Sequence, residues 1–189
     1  MHEILILGRG GQGAQTAGNL LAQTFFSEGH FVQTFATYGG ARRGTPVSAS
    51  LRVDDRPIRL RCNIEHASAM LCFDDSLLQP AFLQFVKPDA LIVVNTRKTF
   101  DAFSALGKYR FIAVDGAQIA HDTDMGKVVN SALLGAFAAT FEHPDIEVLC
   151  QVVKTSAPVK KENNVASCRQ GYLVGEKKGS ESFFHLRNQ

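Results

Sequence analysis

The 189-residue sequence predicts an α/β domain built on a mostly parallel sheet with a β-hairpin insertion. Three observations carry that expectation. Ile4-Leu5-Ile6-Leu7 and Ala90-Leu91-Ile92-Val93-Val94 are short, wholly apolar runs, the pattern of strands buried on both faces. A glycine loop and a helically periodic stretch follow the first run and lead to a second strand, the order of a right-handed βαβ crossover. An alternating segment that turns at Asp54-Asp55 then breaks the β–α alternation and supplies the hairpin.

The elements follow in order. After the first strand comes the loop Gly8 to Gly13, then a helix over Ala14 to Glu28. Its apolar positions Ala17, Leu20, Leu21 and Phe25 share one face, and Gly29 closes it. Phe31 to Thr37 reads as the second strand, and Tyr38 to Pro46 as a glycine-rich loop. Val47 to Val53 and Pro57 to Leu60 are the expected arms of the hairpin. Ala69 to Phe73 is a buried strand, and Asp74-Asp75-Ser76 caps the helix after it, which Pro80 bends or restarts. Lys87-Pro88-Asp89 turns into the strand at Ala90, and Phe111 to Val114 is another. Val128 to Phe141 is a helix apolar almost all round, so it is buried on more than one side, and a subunit interface is the expected cover. A last helix runs from Lys160 to Tyr172, with Gly175 ending it. Residues 1–175 are thus expected to form one domain, and 176–189 a polar, mobile tail.

Composition narrows the function classes. A formal charge of +2 over 189 residues is not that of a strongly basic nucleic-acid binder. No apolar stretch approaches the ~18 residues of a membrane span. The segment Met1-His2-Glu3-Ile4 lacks a basic leader region, so a cytoplasmic protein with reduced thiols is expected. The four cysteines, Cys62, Cys72, Cys150 and Cys168, form no C-x-x-C pair, which argues against a zinc or iron–sulfur site made by this chain alone. Histidines are scattered, and Asp54-Asp55 and Asp74-Asp75 read as a turn and a cap. No catalytic residue is assigned. Fourteen phenylalanines and no tryptophan point to rings used for packing, in a core or against a partner.

Two loops carry the chemistry. Gly8-Arg9-Gly10-Gly11-Gln12-Gly13 fits G-x-G-x-x-G between a strand and a helix, where glycines let a backbone approach a pyrophosphate. The acid that should hold a ribose is missing, because no Asp or Glu occurs from Phe31 to Val53. The alternative is that the glycines only permit close strand–helix packing. In the second loop, Arg42 and Arg43 stand between glycines, and guanidinium forks suit phosphates and carboxylates. Both loops follow strands of the opening unit and are expected at one edge of the sheet, with Arg9, Arg42 and Arg43 forming a positive cluster.

The first loop with its helix, followed by Thr37-Tyr38-Gly39-Gly40-Ala41-Arg42-Arg43-Gly44-Thr45-Pro46-Val47, resembles the gamma subunit of the pyruvate:ferredoxin oxidoreductases and other CoA-acylating 2-oxoacid:acceptor oxidoreductases. The family's second motif reads S-[FY]-G-P-E-x-R-G. Here Gly40-Ala41 replaces Pro-Glu, so one carboxylate is lost. Further similar segments are Ile58-Arg59-Leu60-Arg61, Asn130-Ser131-Ala132-Leu133-Leu134-Gly135-Ala136, and Asn163-Asn164 through Gly171-Tyr172. They occur in the family's order over nearly the whole chain.

The resemblance implies a three-layer α/β/α sandwich and a non-catalytic subunit of a cytoplasmic heteromer. Such a complex oxidatively decarboxylates a 2-oxoacid to an acyl-CoA. Thiamine diphosphate, Mg2+ and [4Fe-4S] clusters lie in alpha-type, beta-type and ferredoxin-like delta-type partner subunits. Coenzyme A is the cosubstrate, and electrons go to ferredoxin, or to NAD through a flavin subunit. This chain alone is expected to bind no cofactor. Its candidate CoA or interface residues are Gly8, Arg9, Gly10, Gly11, Gln12, Gly13, Arg42 and Arg43. Pyruvate, branched-chain and aryl substrates such as phenylglyoxylate are all compatible. The alternative is an autonomous, NADP-type dinucleotide-binding oxidoreductase.

Overall fold

Six strands form one sheet, in the order β2-β3-β1-β4-β5-β6, in a computed structural model that describes residues 1–38 and 44–186. Strand β1 (His2–Arg9) leads to helix α1 (Ala14–Ser27), then β2 (Phe31–Tyr38) and β3 (Pro46–Asp54). After these come β4 (Ala67–Cys72), the short helix α2 (Pro80–Leu83), β5 (Val86–Asn95) and β6 (Arg110–Val114). Four helices follow: α3 (Gly116–Asp122), α4 (Asn130–Phe141), α5 (Ile146–Ser156) and α6 (Lys161–Leu186). Strands β1, β4, β5 and β6 are parallel neighbours. The mixed α/β class read from the sequence is the class observed.

The hairpin has different arms from those expected. It is β2 and β3 that pair antiparallel, and β3 then pairs antiparallel with β1 along its whole length, Ile4 opposite Leu51 and Gly8 opposite Val47. With both edges of β3 taken, residues 57–60 cannot pair with it. They cross outside the sheet, where Leu60 accepts a hydrogen bond from Gln33 at 2.8 Å. The opening unit also differs in one respect. Strands β1 and β2 run in the same direction, but β3 lies between them.

Two cores flank the sheet. One face carries Ile4, Ile6, Ala49, Leu51, Leu71, Val93 and Ile112 and is covered by α1, α4 and α6, with α5 packed against these helices. The other carries Leu7, Met70, Cys72, Ile92, Val94 and Phe111, beneath Leu77, Leu78, Leu83 and Phe103 from short helical turns. The first cover is deep and helical, the second thin.

Helix α4 corrects the interface expectation. Ala132, Leu133, Leu134, Ala136 and Phe137 have no exposed surface, and they are covered by this chain. Helix α6 packs along α4, reaches β6 beside it, and hides a side of α4 that the sheet leaves open. Helix α6 in turn does not stop at Gly175 but continues to Leu186. Glycines serve close approach here: a Cβ on Gly175 would stand 2.7 Å from the Ala136 carbonyl oxygen. On Gly171 it would collide with the Ala132 carbonyl, and on Gly135 with that of Cys168.

Candidate functional site

The carboxyl edge of the sheet gathers the loops after β1, β2, β4 and β5. The turn after β1 closes on itself: Gln12 N donates to Arg9 O at 2.9 Å, and Arg9 N to the Gln12 side-chain oxygen at 2.7 Å. Gly13 caps α1 with a left-handed φ of 83°, which favours glycine. Its second constraint is steric. Asn130, the first residue of α4, donates Nδ2 to Gly13 O at 3.2 Å, and a Cβ on Gly13 would strike that amide. Glycine at 13 therefore serves helix packing, which is the purely structural reading of the motif at this position.

The two sequence loops meet. Gly10 N donates to Thr45 O at 2.9 Å and Gly44 N to Gly10 O at 3.2 Å, extending the β1–β3 ladder past its last strand pair. Arg9 fastens them to a third loop. Its Nε donates to Asp74 Oδ2 at 2.8 Å, one terminal nitrogen to Gly44 O at 3.0 Å, and the other to Ser76 Oγ at 2.8 Å. Asp74 also caps the short 3-10 turn Asp75–Leu77, taking the Ser76 amide at 3.0 Å. Burial opposes ionisation of Asp74, but the bonds from Ser76 and Arg9 win and hold its carboxyl below the usual carboxylate value. Arg42 and Arg43, the other cations singled out in the sequence, lie outside the described residues.

Beside this junction opens a cleft of about 370 Å³ lined by Gln12, Phe73, Asp74, Asp75, Asn95, Thr96, Arg97 and Lys98. It lies at a topological switch point. The chain leaves β1 toward the helical face and leaves β4 toward the thin one, so their carboxyl ends diverge, the geometry that receives ligands in open α/β sheets. Asp75 accepts from Thr96 Oγ1 at 2.7 Å and pairs with Lys98 at 3.1 Å. Asn95 bridges the strand ends, donating to Phe73 O at 3.2 Å and accepting from Gly116 N at 3.0 Å. Arg97 pairs with Asp115 at 3.3 Å and is 77% exposed. The sequence reading missed Asn95, Thr96, Arg97 and Lys98. The only signal for them is that they directly follow the clearest strand.

No group of three or more metal-ligating side chains occurs among the described residues, and no described helix is long and apolar enough to cross a membrane. The opposite edge of the sheet holds a smaller pocket of about 180 Å³, where His2, His30 and His143 face Asp54 and Asp55. Burial, the neighbouring chain amino group and His143 lower the pKa of His2, against the pull of Asp54 and Asp55. The folded state then takes up a proton less readily than the unfolded state. Stability falls as pH drops through the ordinary histidine value near 6.5 toward the depressed one. His2→Asn is expected to flatten the decline in melting temperature between pH 7.5 and 5. An unchanged slope would place the titration elsewhere.

A protein-family model described as "Pyruvate ferredoxin/flavodoxin oxidoreductase" matches residues 3–174. The chain is 36% identical over 155 residues to the "Pyruvate synthase subunit PorC" of Methanosarcina barkeri, covering 82% of this chain and 85% of that protein. It is 36% identical over 177 residues to the "Pyruvate/ketoisovalerate oxidoreductases common subunit gamma" of Pyrococcus abyssi, covering 91% and 96%. The crystal structure of the pyruvate oxidoreductase subunit PORC of Thermotoga maritima superposes with a TM-score of 0.80 at 28% identity, over 91% of this chain and 95% of that one.

Proposed function

Because this chain belongs to the pyruvate ferredoxin/flavodoxin oxidoreductase family, we propose that it is the gamma-type subunit of a complex that oxidises a small 2-oxoacid to its acyl-CoA. The observation that carries this reading is the end-to-end match to separate subunits of that name, 96% of the Pyrococcus abyssi protein being covered. The relatives' names favour pyruvate or a branched-chain 2-oxoacid over an aryl one. Thiamine diphosphate with Mg2+ and iron–sulfur clusters would supply decarboxylation and electron transfer from the partner subunits. The electron acceptor in this proposal is ferredoxin.

The role of this chain is to present the carboxyl-edge loops to coenzyme A at the entrance between subunits. Arg9 is a positioning residue here, since each of its guanidinium nitrogens already has a partner within the chain. It fixes Gly44, from which the segment with Arg42 and Arg43 departs, and those two arginines take the phosphates of CoA. The cleft at Gln12 and Lys98 lies beside the Arg9 junction and offers room for the rest of the nucleotide end.

Purification of the native chain should bring down alpha- and beta-type subunits, with CoA-dependent oxidation fastest on pyruvate or 2-oxoisovalerate in a panel that includes phenylglyoxylate. Recovery without partners, together with micromolar affinity for NADP, would instead support an autonomous dinucleotide enzyme. Losing one charge-assisted contact costs about 1.5–3 kcal/mol. Arg42→Ala and Arg43→Ala are each expected to raise the KM for CoA at least tenfold while the complex still assembles. An unchanged KM for CoA in both variants removes the CoA role and leaves the subunit assignment standing.

A further inference from the structure

The thiols have no part in the function proposed above. Cys62 is exposed, with its sulfur 3.7 Å from the Arg52 guanidinium. Cys72 is buried, donates to the Asp74 carbonyl, and is pushed up to about 12 by that burial, so it is a poor nucleophile. Cys150 and Cys168 are placed differently.

Helices α5 and α6 are joined by the short segment 157–160 and pack against each other. Three cross-pairs fix their register. Glu147 grips Arg169 through two bonds of 2.6 Å, and Lys154 pairs with Glu162 at 2.8 Å. Between these two ties, Cys150 lies opposite Cys168, both in the same buried cluster and each within the other's influence. Partners fall along α6 as they rise along α5, which is an antiparallel pair with the two sulfurs at its seam. Cys168 has no exposed surface and Cys150 keeps 4%. The Glu147–Arg169 fork stands at the exposed rim beside them.

We propose that Cys150 and Cys168 form a dithiol–disulfide modification site, oxidised by hydrogen peroxide, whose closure cross-links α5 to α6. The Cys150 thiolate attacks one peroxide oxygen, the O–O bond breaks, and hydroxide leaves to become water, giving a sulfenic acid. The Cys168 sulfur then attacks that sulfur, the S–O bond breaks, and a second water leaves. Two thiols are oxidised and one peroxide is reduced to two waters. The roles follow from the surroundings. Cys150 keeps the little exposure that the pair has, and the neighbouring Cys168 thiol and, after it, the Arg169 cation hold it below the ordinary thiol value against the effect of burial, so it is the attacking group. The Cys150 thiol and burial hold Cys168, which has no exposed surface, well above that value. The site does not depend on the activity proposed for the chain.

The test uses the full-length chain in the assembly in which it purifies. Treatment with hydrogen peroxide, alkylation and tryptic digestion should yield peptides 128–154 and 162–169 linked through a disulfide, and dithiothreitol should release them. Cys168→Ser should stop at a Cys150 sulfenic acid that dimedone traps. Arg169→Met should slow linkage several-fold at neutral pH and move its pH profile upward, an effect that helix packing alone would not produce. The proposal is overturned if peroxide sufficient to modify exposed Cys62 fully yields no linked peptide. An unmoved pH profile in Arg169→Met overturns the assignment of Cys150 as the attacking thiol.

Discussion

Gly171→Ala is expected to destabilise the fold by about 3 kcal/mol, the upper end of ordinary overpacking effects. The new methyl would collide with the Ala132 carbonyl, which is backbone and cannot rotate away. Helix α6 must then lift from α4 along the seam where Gly135, Gly171 and Gly175 bring the two backbones together. For a chain of this size the loss corresponds to a melting temperature lower by about 6–12 °C. Gly179→Ala provides the contrast. Its Cβ would meet only Thr140 Cγ2, at 3.5 Å, which is ordinary contact. Alanine there should stabilise by about 0.5–1 kcal/mol through helix propensity alone. Thermal unfolding of the two variants checks the account. Equal melting temperatures would show that the helices do not depend on this close approach.

The second large effect is expected at Arg52, whose side chain is 1% exposed. Three cross-strand neighbours lie in a row here, Glu3 on β1, Arg52 on β3 and Gln33 on β2. Arg52 donates to Glu3 at 2.8 Å, to Gln33 at 2.9 Å and to Asn63 O at 3.3 Å, with the Phe35 ring 5.7 Å away. Removing one partner of such a pair leaves a charge buried without compensation, which costs about 3–5 kcal/mol. Glu3→Ala should lose about 3 kcal/mol, since Gln33 and Asn63 still hold the guanidinium. Adding Arg52→Met to Glu3→Ala should recover most of that loss, because the stranded charge is gone. Urea unfolding of the single and double variants measures both. A loss under about 1 kcal/mol for Glu3→Ala would show that water already compensates the arginine.

The same residues show where sequence reasoning reaches and where it ends. Apolar runs locate β1, β4, β5 and β6, because burial on both faces leaves no room for polar side chains. Pairing order is a tertiary property, and nothing local in Val47 to Val53 says that both of its edges are occupied. Gly175 shows a second limit. Glycine ends helices and also admits a close neighbour, and only the presence of α4 against it distinguishes the two. The apolar girth of α4 was legible, but what covers it was not. The sequence expectations also omit α5, although Asp145 as its cap and Ile146, Leu149, Cys150 and Val153 at helical spacing signal it. At the carboxyl edge the glycine turn was legible from its spacing. The partner that anchors it, Asp74, stands 65 residues away and looks locally like a helix cap and nothing more.

The covering of α4 by α6 has a consequence for the order in which the protein is made. Translation delivers α4 before α6, and the glycine seam that receives α4 is not complete until Gly175 has been added. At ordinary elongation rates that interval lasts a few seconds. Throughout it, one side of a nearly all-apolar helix has no cover from its own chain, in a nascent polypeptide still tethered to the ribosome. A holdase chaperone that recognises apolar helices should therefore be captured on stalled ribosomes whose chains have brought residues 130–141 out of the exit tunnel but not yet Gly175. It should be released once the final helix has docked.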